Sequence, residues 1–308
     1  MKEFISVIVP THKRFEMFLN CIKSLSQQNY NKENYEIIAV HDGLEYDYDE
    51  KELREKTCQI KNFRFEKISS GGVAKVRNHG INLAKGSLIL MIDDDCIAES
   101  NWIGSFVRFM NSHEEVIGIG GMVLSTPPKT FVQKYIDFKN LLRKPVRDVN
   151  GNIIAIITAN ACFRRIVLDK TGGFREEFSR YGGEDLDLSF RCGKFGRLAY
   201  CEDAVVYHNH RKSLAALIKQ HVLYGRGTYL ACELNNIDFK LLKFYKPTFL
   251  NSFRYLWYIF ERIFTVSLLE FREKNLKLSL YLPYIFLDSL RKLSFMIGAT
   301  LEYYKRYS

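Results

Sequence analysis

SLILMIDDDC, Ser87 to Cys96, is the stretch from which the rest of the chain is read. Five apolar residues, Leu88 to Ile92, run straight into Asp93, Asp94 and Asp95. A short apolar run bounded by charge is the pattern of a buried strand that ends at a cleft. Three adjacent carboxylates repel one another, and placing them at a strand end costs stability. A hard cation among them would offset that cost. In extended chain Asp93 and Asp95 point to one side and Asp94 to the other. Two carboxylates on one side can hold a divalent ion whose other positions go to water and phosphate oxygens. The alternative is a polar loop with Asp as a helix cap.

Upstream, the same pattern repeats. Gly71-Gly72 opens a helix that runs through Ala84 and is ended by Gly86. Phe63 to Ile68 reads as a strand, and Glu45 to Glu55 as a polar loop entering an exposed helix. Tyr35 to Val40 is a strand closed by His41-Asp42-Gly43. Phe15 to Gln28 carries Phe18, Leu19, Ile22 and Leu25 at helical spacing. Phe4 to Val9 is a first strand that Pro10 stops. Strand and helix alternating in this way make parallel βαβ units and an α/β sheet. Such sheets bind ligands at the carboxyl ends of their strands, where Thr11, Asp42 and Asp93 to Asp95 all fall.

Downstream the pattern is less regular. Trp102 to Met110 is helical, and Val116 to Leu124 is a strand whose Gly118, Gly120 and Gly121 allow close backbone approach. Residues 125 to 150 are polar and mixed, the composition of a loop or lid. Ile153 to Phe163 reads as one strand interrupted by Thr158 and Asn160. Gly172-Gly173-Phe174 is a turn, residues 181 to 191 open a helix, and Ala204 to Tyr207 is a strand followed by His208-Asn209-His210-Arg211.

The chain has 308 residues, 47% of them hydrophobic, enough for one large domain or one domain with an appendage. A net charge of +10 suggests an anionic partner. Seven scattered cysteines without CxxC pairs argue against a zinc ribbon or a disulfide framework and fit a reducing compartment. The apolar run at the start is too short for a signal peptide.

In order along the chain, SVIVPTHKR, HDG at 41 to 43, GGVAKVRNHGINLAKG at 71 to 86, DDD, TANACFRR at 158 to 165, GGF, YGGEDLDLSFR at 181 to 191 and VVYHNHR at 205 to 211 resemble the motifs of the family 2 glycosyltransferases. These are inverting enzymes of the GT-A fold. The matching segments cover roughly residues 4 to 230. His41 departs from the usual acid or Asn before Asp-Gly, while Asp42 is retained.

The resemblance implies transfer of a sugar from a nucleotide diphosphate to a hydroxyl, assisted by Mn²⁺ or Mg²⁺ on the leaving diphosphate. It makes Asp95 the main metal ligand, Asp93 a ribose or metal contact, and His208 a third ligand that tilts the site toward Mn²⁺. It makes Asp185 the base that takes the acceptor proton. Glu184 would touch the acceptor. Asp42 would accept from the N–H of a uracil-type base, with Thr11 beside the base, Arg77 on base or phosphate, and Asp94 among the donor contacts. Asn160, in an apolar strand, would line the sugar or acceptor pocket; a satisfied structural amide is the alternative. His210 is a weaker metal candidate. Asp187 lies four before Arg191, the spacing of an intrahelical ion pair. A UDP-sugar donor is favoured, dTDP-sugar being the alternative. The chain lacks GxGxxG after its first strand, which excludes a nicotinamide dehydrogenase. A catalytically inactive relative is the remaining rival.

The catalytic domain is expected over residues 1–232 and a helical appendage over 233–308. Ser213 to Cys232 is an amphipathic helix, and Phe249 to Leu269 and Leu276 to Leu301 read as two long helices. From Lys243 onward eleven bases face five acids, more than half of the chain's excess charge. Central charges argue against spanning helices. Helices lying in the membrane interface, with bases meeting anionic lipid, are expected on the inner face of the cell membrane, serving a lipid-linked or glycan acceptor. Packing on the catalytic domain or on a second copy of the chain is the alternative. No recognition motif supports nucleic-acid binding.

Overall fold

The computed structural model describes residues 3–44, 49–143, 145–242, 257 and 278–307. These fall into two units, one made of residues 1–127, 140–180 and 184–210, the other of 128–139, 181–183 and 211–308. The helix expected to close the first domain at residue 232 runs on unbroken to Asn235, and the units part at His210/Arg211 instead.

The first unit is built on an eight-stranded sheet. Its strands are β1 (Ile5–Thr11), β2 (Tyr35–Asp42), β3 (Phe63–Ile68), β4 (Leu88–Ile92), β5 (Cys96–Ala98), β6 (Val116–Ser125), β9 (Asn160–Arg164) and β10 (Arg197–His208). A separate ribbon pairs β7 (Val146–Arg147) with β8 (Ile153–Ala155). The sheet order is β3-β2-β1-β4-β9-β6-β10-β5. The β1–β4 half is wholly parallel, as the βαβ spacing predicts. In the other half β6 and β10 are parallel, while β9 and β5 run against their neighbours.

Both faces are covered, so the strands are apolar on both sides. On one face Leu88, Leu90 and Ile92 pack with Phe18, Ile22 and Leu25 of α1 (Phe15–Ser26) and with Trp102 and Phe106 of α4 (Trp102–Ser112). On the other, Ile89 and Met91 pack with Val76 and Ile81 of α3 (Val73–Leu83), Leu168 of α6 (Arg165–Thr171) and Leu188 of α7 (Glu184–Cys192). An exposed α2 (Glu50–Thr57) follows β2, as the polar stretch there predicts.

Three sequence expectations are corrected. Pro10 does not stop β1: pairing with β4 ends at Ile8, whereas pairing with β2 continues to Thr11, so the missing proline N–H falls where β1 has one partner strand. Residues 125 to 150 are not a bare loop, since α5 (Phe131–Lys139) lies within them. Ile153 to Phe163 is two strands in two sheets, because the chain leaves one at Ala155 and enters the other at Asn160.

The second unit contains α5, α8 (Leu214–Asn235) and α9 (Leu278–Tyr307), with α9 packed along α8. A Cβ on Gly225 or Gly298 would collide with the facing helix backbone, so these glycines set the approach of α8 and α9. Gly227 on α8 meets Gly182 and Gly183, and a Cβ on it would lie 1.2 Å from the Gly182 carbonyl oxygen. Asp288 of α9 is buried and takes the Tyr135 hydroxyl at 2.8 Å, Arg291 at 2.9 Å and Lys292 at 2.7 Å. The central charges of α9 therefore satisfy one another internally. The helix expected over Phe249 to Leu269 lies, apart from Trp257, outside the described residues. Among the described residues, no helix is long and apolar enough to cross a membrane.

Candidate active site

At the end of β4 the chain turns. The Cys96 N–H donates to the Asp93 carbonyl at 3.0 Å, so the strand alternation expected to place Asp93 and Asp95 on one side stops at Ile92. Each carboxylate takes its own direction. Asp93 faces Arg77 of α3 at 2.9 Å. Asp94 is fully buried, accepting from the Thr11 hydroxyl at 2.8 Å and pairing with Arg14 at 2.6 Å. Asp95 pairs with the same Arg14 and lies 3.3 Å from His208 Nε2. Burial raises the Asp93 carboxyl, but Arg77, His208 and Arg14 outweigh it and hold it low. Asp94 is pushed up to about 7 by burial, and Asp95 adds to the rise.

His208 closes β10, and the antiparallel register sets it opposite Cys96, next to Asp95. Its Nδ1 lies 3.0 Å from His210 Nδ1, and His210 Nε2 lies 3.0 Å from the Ser125 hydroxyl at the end of β6. Burial, with His208 adding, lowers His210 to about 3, so the ring is neutral. Asp95, Cys96 and His208 each offer a ligand atom within 4.8 Å of the others. Burial and the neighbouring carboxylates keep the Cys96 thiol protonated, which leaves Asp95 and His208 as the useful donors. Asp95 Oδ1 is buried with no hydrogen-bond donor on it. A carboxylate oxygen and an imidazole nitrogen with an uncompensated acceptor between them fit a divalent cation.

Arg77 links this cluster to α7. It is buried, with one nitrogen on Asp93 and another 2.7 Å from Glu184. Asp185 follows at the N-terminus of α7, half-buried, and burial together with the Glu184 charge pushes it up to about 7. Asp187 behaves as its spacing predicts, pairing with Arg191 and also with Arg175, each at 2.8 Å.

Asn160 is buried. Its oxygen accepts from the Trp102 indole at 2.7 Å, and its nitrogen donates to the Met122 and Ala204 carbonyls, each at 2.8 Å. Both amide N–H groups and one lone pair of the oxygen are used inside the core, which is the satisfied structural amide that the sequence offers as the alternative. Thr11 and Asp94 are turned toward each other and buried, beneath the site rather than on its surface. Asp42 accepts from the Gly71 N–H at 2.8 Å and the Gly72 N–H at 3.1 Å, fixing the turn before α3. Sequence reading passed over Arg14 and Ser125. Arg14 sits in a basic run that looks solvated, and Ser125 gives no signal apart from the strand pairing that brings it to His208.

Acidic residues and a histidine thus gather at the carboxyl ends of the strands of a Rossmann-like sheet, where such folds bind their ligands. Residues 6–172, more than half the chain, match the sequence profile of glycosyl transferase family 2, and the chain belongs to that family. It is similar to the glycosyltransferase AglE of Haloferax volcanii, 26% identical over 77% of each chain. It is also similar to a glucosyl-dolichyl phosphate glucuronosyltransferase of the same organism, 25% identical over 58% of each chain. Among solved structures, a mannosyltransferase from Pyrobaculum calidifontis in complex with GDP-Man and Mn²⁺ aligns with a TM-score of 0.68 at 16% identity, over 99% of this chain and 88% of that one. TarS of S. aureus in complex with UDP-GlcNAc aligns with a TM-score of 0.58 at 17% identity, over 99% of this chain and 92% of that one. The fold is GT-A, and the protein is a glycosyltransferase enzyme.

Proposed function

We propose that this glycosyltransferase is divalent-metal-dependent and inverting, and that it moves a sugar from a nucleotide-diphosphate donor to a hydroxyl of a lipid-linked or glycan acceptor. The observation that carries this is the buried, donorless Asp95 oxygen beside His208 at the carboxyl end of the sheet. Asp95 and His208 would hold the ion, Mn²⁺ or Mg²⁺, with Asp93 on the ribose or the ion. The ion would supply Lewis-acid stabilisation of the diphosphate leaving group. Arg77 holds Asp93 and Glu184 in register, so that the donor end of the site and the start of α7 are fixed to each other. Asp185 takes the acceptor proton. With its carboxyl near 7, it is a far better base than an ordinary aspartate, whose value is 3.8. A UDP-sugar is the favoured donor, through Asp42 as acceptor for a pyrimidine N–H. The similarity to a transferase named for a dolichyl phosphate substrate supports a lipid-linked acceptor.

Asp185→Asn is expected to lower kcat about 10²–10⁴-fold while UDP affinity, read by calorimetry, stays the same. Normal transfer by that variant would remove Asp185 as the base. In the parent enzyme, kcat should rise as pH rises through about 7, because only the deprotonated carboxylate accepts a proton.

Peripheral attachment to the inner face of the cell membrane is a second proposal, favoured by an exposed stripe on α9. Leu282, Phe286, Leu293, Ile297 and Leu301 recur at helical spacing and are 40% to 71% exposed. Co-sedimentation with anionic liposomes, lost in Phe286→Glu with Ile297→Glu, tests it. Self-association without liposome binding would instead assign the stripe to a second copy of the chain.

A further inference from the structure

The histidine pair beside Asp95 has a proton order that the metal reading does not use. A neutral imidazole carries one N–H. With His208 Nδ1 and His210 Nδ1 3.0 Å apart, a single proton lies between them, and with His208 neutral, as an imidazole that ligates a metal must be, the chain Asp95–His208–His210–Ser125 has two arrangements. In one, Ser125 donates to His210, His210 donates to His208, and His208 Nε2–H points at Asp95. In the other, His208 donates from Nδ1 to His210, His210 donates from Nε2 to the Ser125 oxygen, and His208 Nε2 faces Asp95 as a bare lone pair. The distance at Asp95 separates them. The Nε2 to Asp95 distance is 3.3 Å, whereas a charge-assisted N–H···O⁻ bond closes to about 2.7–2.9 Å.

We infer that His210 and Ser125 are positioning residues that hold His208 as its Nδ1–H tautomer, so that Nε2 presents its lone pair beside Asp95 for a divalent cation. The sheet builds this arrangement directly. The β6–β10 register sets Ser125 opposite His208, and just past the end of β10 the chain brings the His210 ring against both, Nδ1 to His208 and Nε2 to Ser125. Both rings are buried, so bulk water does not stand in for the partners. A hydrogen bond on the non-ligating nitrogen orients the ring and raises the basicity of the other. The inference rests on the proposed metal role of Asp95 and His208.

The test uses the full chain and Mn²⁺ alone, followed by electron paramagnetic resonance, with ¹⁵N-histidine spectra recorded with Mg²⁺. His210→Leu, checked for native fold by near-UV circular dichroism, is expected to raise the Mn²⁺ Kd about 10–100-fold. His210→Asn, whose amide oxygen accepts the same proton, recovers most of the affinity, and Ser125→Ala falls between. The spectra should place the His208 proton on Nδ1. A proton on His208 Nε2, or a folded His210→Leu that binds Mn²⁺ like the parent, overturns the relay. If the parent binds Mn²⁺ through Asp95 but is indifferent to His210, only the relay fails. If the parent takes up no Mn²⁺, the metal reading fails, and the relay with it.

Discussion

Two buried acidic clusters in this chain are built on opposite principles. In the second unit Asp288 faces two cations, Arg291 and Lys292, and the Tyr135 hydroxyl. In the first unit Asp93, Asp94, Asp95 and Glu184 share two guanidiniums, Arg14 and Arg77, and one Asp95 oxygen has no donor. The first arrangement is complete as it stands. The second carries surplus negative charge that the protein itself does not neutralise. A finished network rigidifies a fold, whereas an unfinished one marks where a ligand enters.

The largest test of this contrast is Asp288→Ala. It strands Arg291 and Lys292 and is expected to cost about 3 kcal/mol in urea unfolding. A cost under about 1 kcal/mol would make this cluster as dispensable as a surface pair. Acid titration sharpens the contrast. The cations hold the Asp288 carboxyl well below its ordinary 3.8 in spite of burial, so the folded state binds that proton less readily than the unfolded chain. Its contribution is full at neutral pH and is lost as pH falls below about 4, and Asp288→Ala should flatten that acid limb. The smallest expected stability effect is at Asp95→Asn. Removing one charge from a repelling set should leave unfolding within about 1 kcal/mol of the parent or raise it. The same substitution should abolish the rise in Tm that Mn²⁺ gives the parent. A large destabilisation by Asp95→Asn would mean that the cluster is complete without an ion.

The β1–β4 half of the sheet was legible because each strand there is a continuous apolar run followed by a helix of clear period. The other half was not, because the pattern of Ile153 to Phe163 does not tell that β8 and β9 belong to different sheets. Asp95 and His208 could be found as ligand-type residues directly after apolar strands. Asn160 was misplaced for a physical reason: a buried amide must have partners, and the sequence cannot say whether they are a sugar or the Trp102 indole. Arg14 went unnoticed because a basic residue after a strand looks solvated until the carboxylates it meets, eighty residues away in the chain, are known. The charges of α9 looked like headgroup contacts, yet Arg291 and Lys292 turn onto Asp288.

The contact of Gly227 with Gly182 and Gly183 bears on engineering. Exchange of C-terminal helices between relatives is one way to search for the determinants of acceptor preference. Here the turn two residues before Asp185 is seated against the backbone of α8, with no room for a single methyl group at 227. A chimera that brings any other residue to that position displaces the turn leading into Asp185, and its loss of activity would then be mistaken for a mismatch of substrate. Helix exchanges in this scaffold are interpretable only when all three glycines travel together.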